Sequence, residues 1–72
     1  MNYVPNVGDT VELVTSEGDR TGRKGDQGII NEIENRSDGT LLRVRLTTGY
    51  SSGKMTSRML RRFKQIIIEW DS

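Results

Sequence analysis

The chain has 72 residues, 32% of them hydrophobic, with no Cys, no His and a net charge of +1. That length admits a single domain, and the missing thiols and imidazoles exclude disulfides, a thiolate or imidazole zinc site, and catalytic triads built on His or Cys. The longest apolar run, Ile66-Ile67-Ile68, falls far short of the ~20 residues a membrane span needs, so no membrane contact and no signal peptide are expected, and the expected compartment is the cytoplasm.

Strand patterns recur at short spacing. Gly8-Asp9 opens a first strand over residues 10–15, where Val11 and Leu13 alternate with Thr10, Glu12 and Val14. Residues 16–26 form a polar loop with Gly18, Gly22 and Gly25 and no hydrophobic residue, long for a hairpin loop and so read as either functional or mobile. A second strand over residues 27–35 carries Ile29, Ile30 and Ile33. Ser37-Asp38-Gly39 supplies the next turn.

The third strand, residues 40–48, has the cleanest alternation. Leu42, Val44 and Leu46 share one face; Arg43 and Arg45 share the other, side by side toward solvent. A turn at Thr48-Gly49 leads to a short fourth strand over residues 50–55, with Gly53 weakening it. Residues 57–61 read as one helical turn capped by Thr56 or Ser57. The last strand covers residues 63–70; its even face (Ile66, Ile68, Trp70) enters the core and leaves Ile67 with Phe63 on the other side.

Five short strands with turn residues between them predict a small closed or partly closed barrel, which also covers strand edges in a chain too short for two layers. The expected fold is an all-β, five-stranded, SH3-like barrel with one short helical turn; an OB-type barrel is the alternative, and it usually needs a longer chain. The single domain spans residues 1–72, with its core in 7–70 and tails at 1–5 and 71–72.

Charge is uneven along the chain. Residues 1–36 hold four cations against seven carboxylates, residues 37–72 seven cations against three. Arg outnumbers Lys by eight to three, and guanidinium forks onto carboxylate or phosphate. The pattern predicts an acidic surface and a basic one.

Catalysis has little to work with. The remaining acid–base groups are carboxylates, three Lys and two Tyr, and no stretch is apolar enough to promise a shifted pKa. Glu32 and Glu34 lie two apart and read as one solvated strand face. Gly53-Lys54 is followed by Met55 and does not make a phosphate loop. No enzyme activity, cofactor or metal is expected.

The segment Arg23-Lys24-Gly25-Asp26-Gln27-Gly28-Ile29-Ile30-Asn31-Glu32-Ile33 resembles the KOW motif, in which a basic-Gly-x-x-Gly turn leads into an apolar strand. Gly8-Asp9-Thr10-Val11-Glu12-Leu13 is similar to the strand before that motif, and Leu42-Arg43-Val44-Arg45-Leu46 to the strand after it. Gly25 and Gly28 are read as positions that allow unusual backbone angles. KOW-type SH3-like barrels occur in ribosomal proteins and NusG-type elongation factors, where they contact RNA, ribosomal proteins or RNA polymerase. By size the chain also resembles small phage-encoded transcription regulators.

The resemblance implies a non-catalytic module that regulates transcription by docking on RNA polymerase, as a monomer. The docking residues assigned are Arg20, Arg23 and Lys24 in the long loop and Arg43, Arg45, Arg58, Arg61 and Arg62 on the basic face. The alternative is a domain that binds RNA or DNA directly through its Arg-rich C-terminal half, in which Lys54 and Lys64 also lie, with Tyr50 as a base-stacking platform. Tyr50 reads equally as a residue at the edge of the core.

Overall fold

A computed structural model describes residues 3–16 and 21–67. The elements are β1 (Thr10–Leu13), β2 (Gln27–Arg36), β3 (Gly39–Leu46), β4 (Met55–Met59), a 3-10 turn (Leu60–Arg62) and β5 (Phe63–Gln65). All strand pairs are antiparallel, in the order β4-β3-β2-β1-β5. The expectation of an all-β chain with five strands and one helical turn is met.

β2 makes the curvature. Its first residues pair with β1, while Gly28 to Arg36 pair with β3. The register shifts between Ile30 and Glu32, so Asn31 is an extra residue in the ladder. Such a bulge bends and twists the strand, which suits one sheet curling into a small barrel-like fold. Ile30 is thereby buried and Ile33 half-buried, while Ile29, Glu32 and Glu34 face outward.

The interior follows from the alternation. Val11 and Leu13 of β1, Ile30, the β3 set Leu42, Val44 and Leu46, and Phe63 of β5 form the core, with Tyr3, Ile33 and Leu60 packed against it. Each fully buried aliphatic side chain contributes about 1.5–3 kcal/mol.

Two glycines have different reasons. Gly25 has φ +96° and so needs the freedom the motif suggests. Gly28 does not need it; a Cβ there would lie 2.5 Å from Val44 Cγ1 and 2.6 Å from the Arg45 carbonyl oxygen. Close approach of β2 to β3, not backbone angle, requires glycine at that position.

The second half departs from expectation in detail. Residues 50–53 are turn, and β4 lies at Met55–Met59. Gly49 and Gly53 both have positive φ, which makes the whole stretch between them a loop. The helical turn falls at Leu60–Arg62, since Ser57 belongs to β4. β5 stops at Gln65; Ile66 is half-buried and still donates its N–H to the Thr10 carbonyl at 2.9 Å, while Ile67 is exposed. The expected burial of Ile68 and Trp70 lies outside the described residues. No helix among the described residues is long and apolar enough to cross a membrane.

Candidate functional site

The two loops that follow β1 and β3 are tied to each other. Residues 23–26 form a tight turn: the Asp26 N–H donates to the Arg23 carbonyl at 2.9 Å, and the Arg23 N–H to Asp26 Oδ2 at 3.0 Å. This turn is anchored to β1 by Leu13 N–H to the Asp26 carbonyl (2.9 Å) and Gly25 N–H to the Leu13 carbonyl (2.8 Å). The β3–β4 loop closes against it. Gln27 N–H donates to Thr48 Oγ1 at 2.9 Å, and Thr47 N–H to the Gln27 carbonyl at 2.8 Å. The Asp26 carboxylate lies against Gly49, where a Cβ would collide with it.

At the tip of this braced loop stands Tyr50, 98% exposed. An aromatic ring held in water by an ordered loop is an exposed apolar surface with a polar tip, the combination enriched at binding surfaces. Arg23 and Lys24 are exposed on the neighbouring turn, and Lys54 is exposed where the loop returns to β4. Arg45, next to last in β3, faces outward between Ile29 of β2 and Met55 of β4. None of Arg23, Lys24, Arg45 and Lys54 forms an ion pair among the described residues.

The other assigned cations are elsewhere. Arg43 is exposed but carries Glu32 at 3.6 Å. Arg61 and Arg62 sit in the 3-10 turn; Arg62 is half-buried, and its carbonyl accepts the Val14 N–H at 2.9 Å. Arg20 lies outside the described residues.

Arg58 is a correction. It is only 5% exposed and does not belong to a basic face. Its Nη2 donates to the Thr21 carbonyl at 3.0 Å and the Gly22 carbonyl at 3.3 Å, its Nη1 to the Thr15 carbonyl at 3.3 Å, and its Nε to Thr56 Oγ1 at 3.3 Å. β4 turns its polar residues, Thr56 and Arg58, inward and leaves Ser57 exposed with Met55 and Met59 half-buried. The guanidinium satisfies backbone carbonyls at the start and in the middle of the long loop, which would otherwise be costly to bury. A rule that sends charge outward misses this.

The predicted acidic and basic surfaces do not separate. Antiparallel pairing sets the acidic β2 beside the basic β3, and the acid of β1 beside the cation of β5. Glu32 meets Arg43, and Glu12 meets Lys64 at 3.1 Å. Arg36 lies 3.7 Å from Glu34 and 3.6 Å from Asp38. The Gln27 amide hydrogen bond, seconded by Lys64, holds the Glu12 carboxyl below the usual range. Burial and the hydrogen bond to Asp9 push the Tyr3 phenol up. Without an ion pair among the described residues are Arg23, Lys24, Arg45 and Lys54, on and beside the two tied loops, together with Arg61. Lys54 was not among the assigned residues; its position directly after the turn glycine Gly53 was the available signal. No group of metal-ligating side chains occurs among the described residues. The chain matches no family model, no curated protein and no solved structure.

Proposed function

We propose that the chain is a non-catalytic binding module whose docking surface is the braced loop pair carrying Arg23, Lys24, Arg45, Tyr50 and Lys54. One observation carries the reading: an almost fully exposed aromatic ring sits on a loop cross-tied to a turn that carries Arg23 and Lys24, and neither these nor Arg45 and Lys54 form an ion pair among the described residues. Such a surface is ordered before it binds, so little entropy is lost on docking. The KOW-like frame of the sequence makes RNA polymerase the first partner to test and regulation of transcription the outcome, by occluding or reshaping a polymerase surface. Arg58 serves this surface indirectly by holding the loop that ends in Arg23 and Lys24.

The exposure of Tyr50 also favours a second reading, in which the ring stacks on an unpaired base and the surrounding cations meet phosphates. Salt dependence separates the two. A pull-down from nuclease-treated bacterial lysate enriches RNA polymerase subunits under the first reading. Under the second, the isolated chain binds labelled single-stranded RNA or DNA, with log affinity falling linearly as log salt rises. Failure to enrich polymerase after nuclease, with tight binding to RNA alone, moves the function to nucleic acid.

A further inference from the structure

We propose that the groove between the β2–β3 turn and the 3-10 turn is a second docking site, shaped for an extended segment of a partner protein that presents a large apolar side chain beside a carboxylate. It goes beyond the loop surface: the groove lies where β3 begins, whereas Tyr50 lies past the point where β3 ends, roughly 23 Å along the strand.

The groove has a volume of about 520 Å³, inside the range of about 300–1,000 Å³ usual for ligand sites. Tyr3, Met59, Leu60 and Phe63 supply its apolar walls. The Tyr3 hydroxyl is already committed to Asp9 Oδ2 at 2.7 Å, so the ring offers the groove an apolar body with its polar tip satisfied. Met59 Cε reaches over Gly39, where a Cβ would meet it at 2.7 Å, and a thioether of this kind adapts to the shape of what it covers. These walls select an apolar side chain.

The charge at the groove selects its neighbour. Asp38 and Arg61 both line it and both are exposed. Asp38 is engaged by Arg36 at 3.6 Å. Arg61 has no ion pair among the described residues. Asp38 shares Arg36 with Glu34, so among the described residues Arg61 is the lining charge with no partner, and the complement of its guanidinium is a carboxylate. The extended form of the ligand follows from the sheet. Met59 is the last residue of β4, an edge strand among the described residues, and edge strands accept an added strand through backbone hydrogen bonds.

The test uses the full chain, labelled with ¹⁵N, and a set of short Gly-Ser peptides that each display Leu, Ile, Met, Phe or Trp next to Glu. Matched peptides carry Lys for Glu, or Ala for the apolar residue. At least one apolar-Glu peptide shifts the amides of Gly39, Thr40, Leu60 and Arg61, and its Lys and Ala counterparts bind about tenfold or more weakly. Arg61→Glu, at an exposed position where folding is retained, reverses the preference between Glu and Lys. The proposal is overturned by binding without charge discrimination, by shifts confined to the loops around Tyr50, by no binding of any peptide, or by shifts at the groove amides that grow with protein concentration alone, which mark a second copy as the occupant.

Discussion

Arg58 shows how one side chain can hold a loop distant from it in the chain. Its guanidinium gathers carbonyls from residues 15, 21 and 22, so the start and the middle of the long loop are tied together by a single side chain. Arg58→Met keeps much of the bulk and removes the donors; it lowers stability by about 2–4 kcal/mol, read as a reduced urea midpoint, because buried carbonyls lose their partners. Hydrogen exchange at the loop amides rises in the same variant. Gly28 is the second sensitive position. Gly28→Ala drives a Cβ into Val44 and the Arg45 carbonyl and costs about 1–3 kcal/mol, again by urea denaturation. Neither role was open to pattern reading. The glycine was recognised, but its cause, the approach of β3, exists only once the strands pair. The arginine was placed on the surface because hydropathy alone cannot show that its partners are backbone carbonyls far away in the chain.

At the scale of elements, the facing of β3 was legible although its end was not: three apolar residues on one face and two arginines on the other specify which side meets the core, while the expected strand over 40–48 ends at Leu46 and leaves Thr47 and Thr48 to the loop. β4 was not, because its inward residues are Thr56 and Arg58 and the usual polarity is inverted. The outward face of β3 yields a prediction about partition. Arg43 is matched by Glu32, and an exposed pair of this kind is worth at most about 1 kcal/mol. Arg43→Glu with Arg45→Glu therefore stays folded and loses partner binding, and Arg45→Glu alone accounts for the larger share, measured as affinity for polymerase. The ladder across β2, β1 and β5 is read by pH. Glu12 has its carboxyl pKa lowered by Gln27 and Lys64, so its contribution is present above the unfolded carboxylate value near 4.3 and is lost as pH falls through the folded value. Urea midpoints measured down through this window fall less steeply in Glu12→Gln than in the parent chain.

Across the whole molecule, topology decides what the charge pattern means. The sequence is acidic in its first half and basic in its second, yet the antiparallel order places the two halves side by side and compensates much of each. Among the described residues the cations left without an ion pair are few, four of them on the two tied loops and the adjoining end of β3. Composition could not reveal this, since ion pairs form between strands whose adjacency the sequence does not display. The barrel-like architecture was legible because strand spacing and turn residues are local properties; the site was only half legible because it is assembled from two loops brought together by hydrogen bonds between Gln27 and the pair Thr47 and Thr48.

The most direct test of the loop surface compares the parent chain with a Tyr50→Ser, Lys54→Glu variant as bait in nuclease-treated bacterial lysate. Both substituted side chains are exposed, so the variant folds, as its urea midpoint will show. The account predicts that RNA polymerase subunits are enriched by the parent and lost with the variant. Equal enrichment by both, or no enrichment by either, contradicts it.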